Sequence, residues 1–480
     1  MAVLRRQIRL AAADGADVRA GFVRIRAELD LPNGFPAPVA EAAHRVAAES
    51  FAVGGERIDR TDLPFATIDP VDSRDLDQAL HIERRRGGYR VHYAIADVAA
   101  FVAPGGPLDQ EAHRRGVTLY APDRRIPLHP ETLCEGAASL LPGADRPALL
   151  WTMDLDSVGE GVAVEVRRAM VRSRAKLGYH EVQRSIDGGT ASEQILLLRE
   201  VGRLREDREH DRGGVDLPTP EQEVVQDGSG WTLKFRAPLA IERWNAQMSL
   251  MCGMAAAHLM LHGEIGVLRT LPPADPRDLA RLRRSAQALS VPWPEDTSYA
   301  AFIRTLDPTR PSHAALLAGS TVMLRGAGYT AFDGGVPDQP FHAALASEYA
   351  HVTAPLRRLV DRYAAETCVA LCADREVPEW VRLALNAVPK EMSEADRRAH
   401  QYERAIVNLV EAALLQGHVG AQFTGVVTEV DERAAKGTVQ LQDPAVEASI
   451  AGKDLPLGER VQLRLVEADV QRRKVRFELA

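Results

Sequence analysis

The chain has 480 residues, of which 45% are hydrophobic and 26% are charged, and its formal net charge is -8. These values are ordinary for a folded soluble protein and leave room for several domains. A net negative charge argues against a protein held on nucleic acid by bulk positive charge. Only six of the 59 basic residues are lysine, so a single arginine is weak evidence for a phosphate site.

The N-terminal sequence and the cysteines indicate a cytoplasmic protein. Arg5, Arg6 and Arg9 are not followed by the apolar core of a signal peptide. Residues 244–263 carry no formal charge but include polar side chains, which predicts a buried helix and not a membrane span. The cysteines lack zinc-site spacing, so buried thiols in a reducing compartment are expected; they are Cys134, Cys252, Cys368 and Cys372.

The first part of the chain changes from a helical to a strand pattern. Residues 1–62 predict a small helical or winged-helix-like segment with a break at residues 32–36. Residues 89–98 are rich in β-branched and aromatic side chains, and residues 80–84 precede a Gly87-Gly88 turn. This arrangement predicts a β-hairpin.

Helices are predicted from about residue 193 to residue 390. One helix is expected to begin at Thr353, with Pro355 in its first turn. Another is expected from Ser393 to Leu415, with Ser393 and Asp396 as a capping pair. Five short strand patterns in residues 418–480 suit an OB-fold barrel. The prediction is therefore an α+β chain with an N-terminal segment (1–62), a large central domain (63–417) and a C-terminal barrel (418–480).

Four carboxylates, those of Asp69, Asp72, Asp75 and Asp77, occur within nine positions. Carboxylates this close repel one another unless a cation joins them. Magnesium binds through a few carboxylates, waters and substrate phosphate, and it can activate water at a phosphodiester. A solvated acidic loop explains the same pattern, and calcium binding is a further alternative, although the spacing of an EF-hand is absent. Spacing alone supports metal catalysis no better than an acidic loop.

Several sequence motifs, in order, resemble those of the RNB family, which includes the RNase II and RNase R exoribonucleases. The resemblance covers about 340 residues, and an ordered set is far more specific than one motif. It implies a catalytic domain with a mixed sheet and surrounding helices, and a C-terminal S1 domain. The motifs read TIDPVDSRDLDQAL (67–80), IADV (95–98), FV (101–102), LD (108–109), EA (111–112), RG (115–116), LYAPDR (119–124), IPL (126–128), ASL (138–140), RAKLGY (174–179) and YAHVTAPLRR (349–358).

The resemblance assigns metal and catalytic roles to the acidic segment. Asp69, Asp75 and Asp77 match the family's metal and catalytic positions, and Asp77 matches the aspartate most critical to hydrolysis. Asp72 matches an acidic position of some members. Gln78 stands where the family usually has aspartate, and an amide oxygen can ligate a metal without adding charge. The implied cofactor is Mg²⁺, with Mn²⁺ as a substitute.

The resemblance also implies an RNA-binding set. Arg357 matches a catalytic arginine, and Arg357 and Arg358 are expected in a first helical turn, where free N–H groups favour an anion. Tyr120 and Tyr179 match residues that pack against the terminal nucleotides, and Glu403 matches a glutamate near the substrate end. The family's paired glutamates are only half matched, by Glu242, which leaves the following contact around Asn245 in doubt.

The implied function is hydrolysis of single-stranded RNA from its 3′ end, with release of 5′-nucleoside monophosphates, by a monomer. About 62 residues before the catalytic domain are too few for the two cold-shock domains usual in RNase II relatives, so a short form with a more open entrance is expected. Two alternatives stay open. Gln78 and the altered region at Asn245 allow a weak or inactive RNA-binding protein, and a dedicated 3′-end processing nuclease is also compatible.

Overall fold

The computed structural model describes residues 13–49, 51 and 56–480. Its first elements are two helices, α1 (Gly15–Glu28) and α2 (Ala37–Ala47). The Asp14 carboxylate caps α1 by accepting the backbone N–H groups of Ala16 and Asp17. Residues 13–49 therefore contain two helices separated by a break, as predicted. These two helices alone do not make a winged helix.

A five-stranded closed barrel forms the centre of the large domain that follows these helices. Strands β2 (Gln78–Arg85) and β3 (Gly88–Ala96) form the predicted hairpin, and Gly87 supplies the positive φ of 84° that its tight turn requires. Strands β1 (Ile58–Asp69) and β7 (Gly161–Gly178) close the barrel in parallel, with Asp69 opposite Gly178. Because β1 begins before residue 63, the predicted domain boundary falls inside this strand. The strands are β1 (Ile58–Asp69), β2 (Gln78–Arg85), β3 (Gly88–Ala96), β6 (Asp145–Asp156) and β7 (Gly161–Gly178), with helix α3 (Pro107–Arg115), β4 (Leu119–Tyr120) and β5 (Arg125–Ile126) between β3 and β6.

Helices cover this barrel and extend the domain. Helix α5 (Glu193–Arg212) packs on α6 (Ala240–His262) and on β2. Helix α10 (Leu359–Cys372) packs on α6 and on β7, so barrel strands are buried on both faces. The elements are α4 (Tyr179–Asp187), α5 (Glu193–Arg212), β8 (Glu221–Asp227), β9 (Gly230–Arg236), α6 (Ala240–His262), β10 (Ile265–Thr270), α7 (Pro276–Ala288), α8 (Tyr299–Arg304), α9 (Pro311–Ser320), β11 (Gly328–Asp333), β12 (Phe341–His342), β13 (Ser347–Glu348), α10 (Leu359–Cys372), α11 (Glu379–Leu385) and α12 (Val388–Leu415).

The uncharged stretch at residues 244–263 is the buried helix that the sequence predicts. It forms most of α6, where Met248, Cys252 and Met260 are fully buried. Among the described residues, no helix is both long and apolar enough to cross a membrane. Cys134 and Cys368 are also buried free thiols, whereas Cys372 is only partly buried.

The predicted helix start at Thr353 is wrong, because α10 begins at Leu359. The preceding residue, Arg358, is extended, with φ -136° and ψ 128°. Its neighbours bond to another segment: the Thr118 N–H donates to the Arg357 carbonyl at 3.0 Å, and the Leu359 N–H donates to the Gly116 carbonyl at 2.9 Å. These bonds to distant backbone override the local capping signal.

The C-terminal strands close into a second five-stranded barrel, which confirms the predicted OB-type fold. The helix before it starts earlier than expected, at Val388, so Ser393 and Asp396 lie inside α12 and do not cap it. The strands are β14 (Gln422–Asp431), β15 (Lys436–Leu441), β16 (Val446–Ala451), β17 (Arg460–Asp469) and β18 (Lys474–Leu479), in the order β14-β15-β16-β18-β17.

A buried carboxylate links this barrel to the rest of the chain. Glu411 of α12 accepts the Glu447 backbone N–H at 2.8 Å and the Gln222 amide at 2.9 Å. Burial nevertheless raises the pKa of Glu411 to about 7, because these two hydrogen bonds offset only part of its lost hydration. The junction between α12, β8 and β16 therefore carries a group that titrates near neutral pH.

Candidate active site

The acidic segment is a loop that joins two barrel strands. Asp69 is the last residue of β1, and Asp77 directly precedes β2. The loop is fixed by Leu76, which is fully buried and whose N–H donates to the Ser139 hydroxyl at 3.0 Å. Ser139 in turn donates to the Arg74 carbonyl at 2.6 Å. These bonds fix the position of the loop that carries the carboxylates.

The turn before α10 places an arginine beside these carboxylates. The Leu356 N–H donates to Asp77 Oδ1 at 2.8 Å, and Arg357 Nε lies 3.5 Å from Asp77 Oδ2. The Arg357 side chain is 45% exposed, whereas that of Asp77 is only 6% exposed. Arg357 is thus anchored to the acidic loop and remains able to contact a ligand, although its predicted position in a helical first turn is wrong.

An open cleft of about 500 Å³ contains most of the predicted site residues. All four predicted aspartates line it. Asp77 is buried, Asp69 and Asp75 are partly buried, and Asp72 is exposed. Tyr120 is exposed, and Tyr179 is half-buried. The lining residues are Asp69, Pro70, Asp72, Ser73, Asp75, Asp77, Gln78, Tyr120, Arg125, Tyr179 and Arg357.

Burial raises the pKa values of two carboxyl groups in the cleft. It raises the pKa of Asp69 to about 6, against the opposing effect of Arg357. It raises the pKa of Asp77 to about 8, although Arg357 and the Leu356 N–H favour its ionised form. The positive charge around both groups is therefore too small to offset their burial, and an added cation would stabilise their ionised forms.

Asp75 differs from its neighbours because it forms an ion pair within the chain. Arg125 Nη1 donates to Asp75 Oδ1 at 2.5 Å, and Arg125 also bonds to Glu135. Sequence reasoning missed Arg125, although it lies between the quoted motifs at residues 119–124 and 126–128. In the described part of the chain, no three Asp, Glu, His or Cys side chains lie close enough together to enclose a metal ion. The four aspartates share the cleft without converging.

The Gln78 amide is held by hydrogen bonds at both ends. Its Nε2 donates to the Thr353 carbonyl at 2.6 Å, and its Oε1 accepts the Tyr93 hydroxyl at 3.1 Å. Tyr93 is fully buried and also bonds to the Ser249 hydroxyl of α6 at 2.7 Å. An aspartate at position 78 could not donate to Thr353. Gln78 thus ties the acidic loop to the turn that carries Arg357.

The region around Asn245, whose match to the family was in doubt, does reach the site. Asn245 Nδ2 donates to the Tyr179 hydroxyl at 3.2 Å and to the Ile68 carbonyl at 3.4 Å. Burial, with the nearby Asp69 charge, raises the pKa of Tyr179 to about 12, so this phenol is neutral. Asn245 therefore orients Tyr179 at the wall of the cleft.

Two of the predicted RNA-binding residues do not line the cleft. Arg358 makes a two-pronged ion pair with the fully buried Asp361, with both N···O distances at 2.8 Å. Asp361 also accepts the Ala354 N–H at 2.7 Å, so this pair fixes the turn that carries Arg357. Glu403 lies on the exposed surface of α12. Direct contact with a ligand in the cleft is therefore not supported for Arg358 or Glu403.

Comparison with known families identifies the two domains of this fold. Residues 57–372 match the RNB domain. The chain belongs to the RNB family. Residues 421–480 match the C-terminal S1 domain of RNase II-type exonucleases, which is the second barrel.

Relatives within the RNB family include ribonuclease R of two bacteria. The chain is 27% identical to ribonuclease R of Aquifex aeolicus over 497 aligned positions, which cover 94% of this chain and 69% of the relative. It is 26% identical to ribonuclease R of Escherichia coli, with 88% of this chain and 57% of the relative covered. The chain thus spans little more than half the length of the second relative.

Solved structures of the family share the whole fold. Mycoplasma genitalium RNase R in complex with ribose-methylated single-stranded RNA has a TM-score of 0.85 and 19% identity, covering 97% of this chain and 78% of that chain. A yeast pseudonuclease has a TM-score of 0.70 and 17% identity, covering 93% of this chain and 57% of that chain. At these identities the likeness shows the fold alone, which an RNase R and a pseudonuclease have in common.

Proposed function

We propose that this chain is an exoribonuclease that hydrolyses single-stranded RNA from the 3′ end and releases 5′-nucleoside monophosphates. The proposal rests on one observation. The cleft contains buried carboxylates whose negative charge is only partly offset by Arg357, and two tyrosines lie beside them. The match to the RNB domain and the ribonuclease R relatives support the same activity. That this chain also acts on RNA, as the ribonuclease R relatives do, is part of the proposal.

The donor set of the cleft fits Mg²⁺, and Mn²⁺ as a substitute. All the donors are hard oxygens, and Mg²⁺ needs only one or two carboxylates because waters and substrate phosphate complete its shell. Asp69 and Asp77 would hold the ion, and Asp75 would join them when its ion pair with Arg125 opens. Asp72, at the edge of the cleft, is a less direct candidate ligand. The Gln78 amide already bonds to Thr353 and Tyr93 and would position the loop instead of binding the metal. When bound, a divalent ion activates water and stabilises the leaving oxygen.

The protein groups would bind and orient the RNA end. The Arg357 guanidinium would contact the scissile phosphate and offset the charge that develops there. Tyr120 and Tyr179 would stack on the terminal bases. Such stacking does not depend on the base sequence, because every base has a π-face. Attack of water on phosphorus expels the 3′ oxygen of the preceding nucleotide, so the released nucleotide retains a 5′ phosphate.

The test uses purified protein and 5′-labelled single-stranded RNA, with Mg²⁺ or with EDTA. We expect a ladder that shortens from the 3′ end with Mg²⁺ only, and no shortening by Asp77→Asn. Asp154→Asn is the matched control, because Asp154 pairs with Arg90 outside the cleft. Equal turnover by wild type and Asp77→Asn would exclude the assigned site. Comparing poly(A) with structured precursor RNAs then distinguishes general decay from dedicated 3′-end processing.

A second candidate is an RNA-binding protein with little or no catalysis. Asp75 is neutralised by Arg125, and Gln78 replaces a carboxylate, so the chain offers fewer free negative ligands than its motif implies. The yeast pseudonuclease has the same overall fold. Intact RNA at every divalent-ion concentration, together with a complex in a gel-shift experiment, would favour this candidate.

A further inference from the structure

A second cavity lies away from the candidate active site, between the β6–β7 hairpin, α5, α6 and β13. Its volume is about 600 Å³. Its walls are mainly aliphatic and thioether side chains, including Leu155, Val164, Met251, Met254 and Leu259. Methionines adapt well to flexible apolar ligands. The described lining contains no Phe, Tyr or Trp, and His258 is its one aromatic side chain.

Two arginines of α5 line this apolar cavity without a carboxylate partner. Arg205 is only 4% exposed. Its Nη1 donates to the Gly159 carbonyl at 2.8 Å and its Nη2 approaches Met254 Sδ at 3.7 Å, whereas its Nε has no hydrogen-bond partner. Arg212 is half-buried, and its Nε also lacks a partner. Burial lowers the pKa of both groups, as expected for charge that is held away from water.

The nearby carboxylates, Glu160 and Glu209, attract both arginines through space but form no direct ion pair with either of them. Glu160 and Glu348 line the cavity, but the ion pairs within 4.0 Å found in the described chain include none to Arg205 or Arg212. Glu160 is exposed to solvent, and Glu209 accepts a hydrogen bond from Gln247. A buried guanidinium without a directly bonded anion is unfavourable, and the lowered pKa values show that the through-space attraction does not offset burial, so an anionic ligand would be favoured at this end of the cavity.

We propose that this cavity binds a small amphiphile with an anionic head and an unbranched aliphatic body. The head group, a carboxylate or a phosphate, pairs with Arg205 and Arg212. The aliphatic body lies along Met251, Met254 and Leu259. This binding site is separate from the RNA cleft and does not depend on the proposed nuclease activity.

The experiment is calorimetric titration of the full chain with decanoate and decyl phosphate, each below its micellar concentration, and with decanol below its solubility limit. We expect one molecule of decanoate or decyl phosphate per chain, with the tighter of the two identifying the head group. Decanol, which lacks the charge, should bind at least tenfold more weakly. Undetectable binding of both anions at millimolar concentration, or equal binding of decanol, would overturn the proposal. Co-sedimentation with phosphatidylglycerol vesicles without decanoate binding would also overturn it.

Variants of α5 separate the site from non-specific binding. Arg205→Met and Arg212→Gln should each weaken decanoate binding at least tenfold, and Arg212→Gln is informative even if the more buried change prevents folding. Arg208→Gln is the matched control, because Arg208 lies on the same helix, pairs with Asp211 and does not line the cavity. Glu160→Gln should tighten binding, since it removes a competing carboxylate. Unchanged affinity in Arg212→Gln, or an equal loss in Arg208→Gln, would refute the assignment.

Discussion

The hydrogen bond from Gln78 to the Thr353 carbonyl gives a sharp prediction, because a single atom decides it. The change Gln78→Glu keeps the length of the side chain and replaces the donating Nε2 with an oxygen. That oxygen would face the Thr353 carbonyl, which now accepts the amide at 2.6 Å. The Tyr93 hydroxyl could still donate to the other carboxylate oxygen. The variant therefore removes the link to Thr353, keeps the link to Tyr93, and adds a negative charge to the cleft that contains Asp69 and Asp77.

The expected loss has two parts. Removing the donor leaves the Thr353 carbonyl buried without its hydrogen bond, which costs about 1–3 kcal/mol, so the free energy of unfolding should fall by roughly that amount. Repulsion between the two oxygens would also move the turn at residues 353–357. A displacement of about 1 Å at a reacting group can lower turnover by about 100-fold. Arg357 belongs to this turn, so both stability and RNA turnover should fall.

Urea unfolding and initial rates on labelled RNA measure the two effects separately. The matched control is Gln194→Glu, because Gln194 makes a similar amide bond, at 2.9 Å, to the Ile82 carbonyl and does not line the cleft. The control should lose comparable stability and keep its turnover within about twofold. Wild-type stability and turnover in Gln78→Glu would refute the positioning role. An equal fall in turnover in both variants would mean that general destabilisation is responsible.

The remaining predictions concern four other charged groups. Because the folded-state pKa of Glu411 is raised to about 7, the unfolded chain loses this proton first, and stability falls as pH rises from 4.5 to 7. Glu411→Gln should therefore match wild type near pH 4.5 and exceed it by roughly 3 kcal/mol at most at pH 8 in urea unfolding; a constant difference would contradict this. Arg357→Lys should lower turnover about 100-fold and leave the urea midpoint unchanged. Arg358→Met should instead lower stability, by about 3–5 kcal/mol, because it leaves the buried Asp361 carboxylate without its partner; unchanged stability would exclude that role. Arg125→Gln should free Asp75 and tighten Mg²⁺ binding severalfold by calorimetry, and weaker binding would argue that the pair organises the metal site.

The acidic segment and the hairpin after it could be read from the sequence because their signals are local. Alternating β-branched residues and the Gly87-Gly88 turn predicted β2 and β3, which the structure contains. The ordered motifs predicted the RNB and S1 domains, which the family matches confirm. The metal and RNA contacts of the individual residues stay predictions, although the cleft contains most of those residues.

Other features of the site could not be predicted locally. The capping signal at Thr353 was sound as local chemistry, yet backbone bonds to residues 116–118 delay the helix to Leu359. The adjacent arginines 357 and 358 look alike in the sequence. Only the extended backbone at Arg358 turns one towards Asp361 and leaves the other beside Asp77.

The sequence by itself determined the strand and helix patterns, the family and the set of carboxylates, because each depends on residue type and short-range spacing. The tertiary structure decided which of those carboxylates are compensated. Arg125 neutralises Asp75, whereas Asp69 and Asp77 stay buried with raised pKa values. It also created the pairing of Gln78 with Thr353 and the arginine-lined cavity beside α5. Charge compensation and burial depend on neighbours that are distant in the chain, and local sequence carries no direct record of them.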